Sequence, residues 1–451
     1  MKPGVWIFLG FLGAMGGLGF LVSQRFEGSP PAVLAPESIV LGPGPNPLII
    51  EIDDPDSGVR SVHARLLDQA GSRNLGEESY PGTLLAGSGP EGKRQLFEID
   101  LDLEKLRVAD GNATLVVSVR DWSWRDTFAG NRTELSIPVE IDTRPPRLQI
   151  VSGLTYMHRG GAAAAVYRVG EAVPQDGVFV DSIFYPGFPH PGGEENLRVA
   201  LFAVPVEAAQ DPSIRVVAVD RAGNQGAASF PARIQERNFQ QSPLKIGRAF
   251  IERVATPLAD SAGLPRATPT EAFKSVNEDL RARNEQTIRE SLARESVQQP
   301  LWSGSFHQLR NSAVMSRFAE LRNYSLDDTS ISQARHYGFD LASTANAPVT
   351  AAAAGRVAYA DDLGIYGLCV ILDHGLGLAS LYAHLSSIDV SAGDQVTQDA
   401  VLGYSGQTGL AGGDHLHFAM LVGETYVNPL EWWDAKWVRS HIEARLDPSP
   451  R

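Results

Sequence analysis

The stretch from His336 to His417 constrains this chain more than any other. It carries four histidines and one carboxylate in three short motifs: His336-Tyr-Gly-Phe-Asp340, Leu381-Tyr-Ala-His384-Leu385 and Asp414-His415-Leu-His417-Phe418. His415 and His417 alternate with Leu416 and Phe418, which is strand periodicity. Both imidazoles therefore face one side of a strand and both apolar side chains the other. Two neighbouring imidazoles on one face suit one metal ligand and one catalytic group. His336 and Asp340 are four residues apart; on an extended strand they would sit roughly 13 Å from each other, too far to share an ion. Gly338 between them predicts a bend that turns both inward. Two imidazoles and a carboxylate, with a fourth position open, make the donor set of a catalytic zinc site; a structural site would be closed, usually by Cys. The chain has one Cys, so a thiolate-rich site is excluded.

A hydrolytic site also needs a base for its water. The helical His-Glu-x-x-His solution is absent. The spare histidines, His384 and His415, are the candidates for base and transition-state donor. His63, His158, His190, His307 and His441 stand alone and read as surface or satisfied core residues. His374, in Asp373-His374-Gly375, reads as a strand-end turn rather than a ligand.

The three motifs, in this order, resemble the lysostaphin-type zinc endopeptidases, which cleave peptide cross-links of bacterial cell walls. The stretches Ala353–Ala360, Val370–Leu378 and Ser405-Gly-Gln-Thr-Gly409 resemble the β framework of that domain, and the likeness covers roughly a third of the chain. The resemblance implies a Zn2+ ion bound by His336, Asp340 and His417, flanked by His384 and His415 as catalytic histidines. It implies a mostly antiparallel sheet with a groove across one face and, as partner, the stem peptides of peptidoglycan. A non-catalytic wall-binding or amidase-activating protein is the alternative; such domains lose ligands or catalytic histidines, and this chain keeps all five positions.

The length of 451 residues allows three or four domains. A net charge of -14 argues against nucleic acid as a partner, so contact with an anionic wall would come from a shaped groove. Residues 1–28 hold an apolar run from Pro3 to Ser23, just long enough to span a bilayer. It lacks an Ala-x-Ala exit and a lipobox Cys. It reads as an uncleaved signal anchor, with a cleaved signal peptide as the alternative. The expected location is therefore the cell envelope, anchored in the inner membrane with a periplasmic catalytic domain, or secreted if the segment is removed. Cys369 cannot form an intrachain disulfide and reads as packed in an apolar strand.

Ser29–Pro47 is rich in Pro, Gly and Ala and opens as a linker. Two β-rich segments follow, residues 29–145 and 146–236. Each ends on an alternating strand, an Asp (Asp121, Asp220), a Gly-Asn turn (Gly130-Asn131, Gly223-Asn224) and a second alternating strand. They read as two β-sandwich modules resembling bacterial immunoglobulin-like domains and serving as spacers. Gly87-Ser-Gly89-Pro-Glu-Gly92 matches a dinucleotide fingerprint, but Pro90 inside it marks a loop.

Residues 237–300 change character. Thr268-Pro-Thr-Glu271 is a capping box, and Phe273, Val276, Leu280, Ile288 and Leu292 recur at roughly helical spacing. The pattern predicts a helix from Thr270 to about Glu295, either a solvated spacer or a restraint whose carboxylates could compete with substrate for the metal. Residues 301–451 form the expected zinc peptidase domain. Trp432, Trp433 and Trp437 read as packing residues of its short terminal helix.

Overall fold

A computed structural model describes residues 3–293 and 296–447. The chain is mainly β, with antiparallel pairings dominating its sheets, and divides into two compact units. The first comprises Met1–Pro145 with Val219–Gln225. In it Pro47–Asp53 pairs with Arg94–Asp100, and Gly111–Asp121 lies between Val59–Asp68 and Arg132–Ile141. Period-two alternation turns Leu115, Val117 and Val119 inward together with Ile137 and Val139. They meet Ile50, Ile52, Phe97 and Ile99 from the other sheet in one core. Residues Pro3–Arg25 are helical. Part of the expected membrane segment lies outside the described residues, and among those described no helix is long and apolar enough to cross a membrane.

The second unit comprises Pro146–Ala218 and Gly226–Arg451. The segments expected as a second module, a helical linker and a peptidase domain share one continuous core here. Glu431 accepts a hydrogen bond from the Ala162 amide at 3.0 Å, and the Tyr185 and Thr425 hydroxyls meet at 2.7 Å.

Within this unit strand β1 (Gln241–Lys245) runs parallel to β2 (Glu320–Leu326), which pairs antiparallel with β3 (Thr329–His336). The intervening helical stretch begins at Pro269. The Thr268 side chain caps it by accepting from the Glu271 amide, while Glu271 accepts from the Ala267 amide. Helix α1 (Pro269–Ser275) passes through a π turn (Val276–Leu280) into α2 (Arg281–Leu292). Its apolar stripe is buried: Phe273, Val276, Leu280 and Ile288 are at most 6 % exposed. The predicted end near Glu295 lies outside the described residues.

The large sheet of the C-terminal region has β4 (Phe339–Ala342), β5 (Gly355–Asp362), β6 (Leu368–Gly375), β7 (Leu378–Ile388) and β8 (Leu416–Val422), in the spatial order β4-β8-β7-β6-β5. Both faces are covered, so β6 and β8 read as continuous apolar runs rather than alternating ones. Cys369 is buried in β6. His374 is inside β6, fully buried, with one ring nitrogen on the Ala354 carbonyl and the other on the Ser380 hydroxyl. It is a satisfied core histidine rather than part of an exposed turn. Trp432 is fully buried against Trp302, Phe306 and Trp437.

Candidate metal centre

Register brings the motifs together. Asp340 on β4 lies directly across from His417 on β8, and His417 across from Ala383, one residue before His384 on β7. His336 ends β3, and Tyr337-Gly338 carries the chain over to β4. Gly338 is required for space: a Cβ there would lie 2.6 Å from His417 Cε1 and from the Phe418 carbonyl. The bend expected from its sequence position is present, but close approach is what excludes a side chain.

His336 Nε2 lies 2.9 Å from Asp340 Oδ1 and 2.9 Å from His417 Nδ1, and those two are 3.0 Å apart. Three donors of a tetrahedral zinc at 2.0–2.1 Å would be about 3.3 Å from one another, so the set fits with a small outward relaxation. The far side of the His336 ring supports the same assignment. Its Nδ1 donates to the Arg317 carbonyl at 3.1 Å, with the Ser316 hydroxyl at 3.2 Å. That leaves Nε2 with its lone pair facing Asp340 and His417. No Cys and no second carboxylate joins the group among the described residues.

Electrostatics keep these groups in their ligating forms. Burial alone would raise the Asp340 carboxyl, but His336 and His417 outweigh it and hold it well below the usual carboxylate range. Burial pushes the His417 imidazole down to about 4, against the pull of Asp340. Arg322 on β2 is the residue that sequence reasoning missed. Its guanidinium donates to Asp340 Oδ2 at 2.6 Å and to Ser316 at 2.7 Å, and also reaches Glu320. Glu320 in turn accepts from the Ser242 and Ser316 hydroxyls. Asp340 therefore offers Oδ1 to the other two ligands while Arg322 occupies Oδ2. The only trace in the sequence is the i, i+2 pair Glu320-x-Arg322 on one strand face, which nothing ties to Asp340.

The two remaining histidines stand beside this group. The His384 and His415 ring centroids are 4.8 Å apart, and His384 is 5.9 Å from His417. His384 has φ +63°, a left-handed conformation unusual for a non-glycine residue, at an irregularity in the β7 pairing. Its Nδ1 faces the Thr408 carbonyl at 2.9 Å, and His415 Nδ1 faces the Gly413 carbonyl at 2.7 Å. Each Nδ1 thus donates to backbone, and each Nε2 carries the lone pair when the ring is neutral. His415 Nε2 is 3.7 Å from Asp340 Oδ1. Burial, then the neighbouring imidazoles, depress His384 to about 3, so it is neutral at physiological pH.

A cavity of about 400 Å³ opens on the group. His336, His384, His417 and Tyr366 line it together with Ile246, Phe250, Phe273 and Arg281. The carboxylates expected to compete for the metal go elsewhere. Glu285 accepts from the Tyr366 and Tyr426 hydroxyls at 2.6 and 2.9 Å, and Glu278 accepts from Ser332. Arg281, not an acid, faces the cavity.

Comparison with known proteins bears on the same region. Residues 334–429 match the model of peptidase family M23. A DD-carboxypeptidase/endopeptidase, Mpg, of Neisseria meningitidis serogroup B is 37 % identical over 95 residues, 21 % of this chain and 22 % of that protein. The peptidoglycan DD-endopeptidase ShyA of Vibrio cholerae is 34 % identical over 98 residues, 22 % and 23 % of the two chains. The chain thus spans less than a quarter of the length of these curated relatives. The solved catalytic domain of lysostaphin from Staphylococcus simulans is 28 % identical, covering 28 % of this chain and 96 % of that one, with a TM-score of 0.24. The His336–His417 stretch falls inside the matched residues, so the C-terminal region of this chain carries a domain of peptidase family M23 over residues 334–429.

Proposed function

We propose that the protein is a zinc-dependent endopeptidase that hydrolyses peptide cross-links of bacterial peptidoglycan, in the cell envelope, during wall remodelling. The observation that carries this is the convergence of His336, Asp340 and His417 within 3.0 Å, with two further imidazoles beside them, in a domain of this family. The endopeptidase names of Mpg and ShyA support the substrate class.

In this reading His336 Nε2, Asp340 Oδ1 and His417 Nδ1 hold the metal. A zinc ion there would supply Lewis-acid polarisation of a carbonyl and a water of lowered pKa. His384, neutral and pinned through Nδ1, takes a proton at Nε2 or returns it to the leaving amine. His415, pinned the same way but less buried, donates to the developing oxyanion once protonated. The two rings can exchange these roles, since each presents the same nitrogen. Arg322 fixes the plane of the Asp340 carboxylate.

The segment 237–300 restrains or positions this domain, since its residues Ile246, Phe250, Phe273 and Arg281 face the same cavity as the histidines. The β modules upstream, read as immunoglobulin-like, act as a stalk from a membrane anchor at residues 1–28. The test is hydrolysis of purified cross-linked muropeptides by the full chain, followed by separation of dimers from monomers. Monomers should appear with zinc, vanish on chelation and return when zinc is restored. Equal monomer release by wild type and His384→Ala would defeat the reading.

A further inference from the structure

The first unit contains a second group of converging ligand atoms, remote in sequence from the peptidase motifs. One carboxylate oxygen each of Glu27, Asp54 and Asp121 lies within 4.8 Å of the others. They come from three segments: two residues beyond the helix that ends at Arg25, just after strand Pro47–Asp53, and the last residue of strand Gly111–Asp121. Asp54 is 2 % exposed and Asp121 fully buried.

Part of each acid's bonding is accounted for, and part is not. Asp121 Oδ1 accepts from the Ser123 and Asn131 amides, and Oδ2 from the Asn131 side chain at 2.8 Å. Asp54 Oδ1 accepts from the Asp56 amide at 3.0 Å, while Asp54 Oδ2 and both Glu27 oxygens are buried without a hydrogen-bond partner among the described residues. A further observation concerns a neutral side chain. The Ser57 hydroxyl, 2 % exposed, is also buried without a bonded partner and sits close enough to the Glu27 carboxyl to act on its ionisation. No Lys or Arg forms an ion pair with any of the three among the described residues. Arg25 donates to the Ala86 carbonyl and Arg125 to the Glu27 backbone carbonyl.

The repeat in the sequence provides an internal contrast. Asp220 occupies the place of Asp121 before the second Gly-Asn turn; its two oxygens accept from the Asn224 amide and side chain. No group of acids forms around it among the described residues. The turn therefore needs its Asp and Asn but not a cluster of three carboxylates.

Several uncompensated carboxylates at one buried point are costly unless a cation joins them or they stay protonated. The donors are all oxygen, which selects a hard cation. Opposite oxygens around one calcium ion are at most about 5 Å apart, and calcium tolerates irregular ligand sets drawn from separate loops. We propose that Glu27, Asp54 and Asp121, with the Ser57 hydroxyl, form a calcium site that fastens the chain leaving the N-terminal helix to the end of the first β module. Without an ion, burial, offset in part by Ser57 and reinforced by the neighbouring acids, lifts Glu27 to about 7, and burial also raises Asp54.

Equilibrium dialysis of the zinc-loaded full chain against calcium, after treatment with a calcium-selective chelator at pH 7.5, tests this. One calcium should bind per chain with half-saturation at about 10⁻⁴–10⁻³ M, the range of extracellular modules. Glu27→Gln and Asp54→Asn should each weaken binding about tenfold or more, because affinity follows ligand charge, and both should retain zinc. Calcium should raise the melting temperature of the wild type and not of Glu27→Gln. Glu27→Gln keeps the volume of a side chain at the edge of the site, so it reads binding even if Asp54→Asn misfolds. No uptake by the wild type up to about 10 mM, or wild-type uptake by Glu27→Gln, would overturn the site.

Discussion

A neighbour outside the group holds the second ring nitrogen of His336 and the second oxygen of Asp340, and backbone carbonyls hold Nδ1 of His384 and His415; that division predicts how substitutions should separate. His417→Ala removes a ligand and should leave no stoichiometric zinc in elemental analysis; zinc retained one-to-one would refute the ligand set. His384→Ala and His415→Ala should keep zinc and lose about a hundredfold or more in turnover, read by muropeptide cleavage alongside metal content. Arg322→Ala frees Asp340 Oδ2, whose partner was at 2.6 Å. Loss of such an outer partner typically costs about 10–100-fold in metal affinity, which competition with a chromophoric chelator would measure; unchanged affinity would make Arg322 a purely structural residue. Acid should act through the buried imidazoles of the metal-free protein. His374 and His417 are depressed to about 4 and His384 to about 3, mainly by burial. Above pH 6.5 these rings are neutral folded or unfolded, so they leave stability flat. Below it the unfolded chain takes up protons that the folded rings refuse, and stability falls down to about pH 4. Glu431 and Glu27, each raised to about 7 mainly by burial, work the other way between 4.5 and 7, but are two groups against three. Melting temperature against pH in chelator should therefore decline below pH 6.5, and a rise there would contradict the assignment.

At the scale of elements, the sequence was most legible where periodicity and chemistry coincide. The alternation His415-Leu416-His417-Phe418 is a strand with the imidazoles on one side, and the capping box at Thr268 starts a helix. Spacing could not reveal that Asp340 and His417 are register partners, since that depends on strand pairing across 77 residues. It also could not reveal Arg322, which reaches Asp340 from a different sheet. The sequence left the charged helix open between a solvated spacer and a restraint because its polar residues outnumber its apolar ones; Ile288 is buried and Leu292 packs half-buried against the core. Its grip on the domain includes the two tyrosine hydroxyls bound by Glu285. Glu285→Ala removes hydrogen bonds to a charged acceptor, each worth about 1.5–3 kcal/mol, and so should shift an opening equilibrium by about tenfold or more. If the helix restrains the domain, muropeptide cleavage by the full chain should rise. Equal or lower activity with unchanged folding would assign the helix a supporting role only.

At the scale of the whole molecule, the second β module, the helix and the peptidase sheet share one apolar core within the second compact unit. One pairing within that core has a practical outcome. Strand β1 lies along β2, with Leu244 opposite Tyr324, and Ser242 bonds to Glu320, which is joined through Arg322 to Asp340. A fragment trimmed to begin at Leu301 would strip β1 from that border and leave unpaired the amides and carbonyls of β2 that face it. Such a raw margin invites another copy to dock along it. The trimmed fragment should clump and bind zinc poorly, as light scattering and metal analysis would register. A monodisperse, zinc-replete fragment from Leu301 would mean that the peptidase sheet shields its own margin.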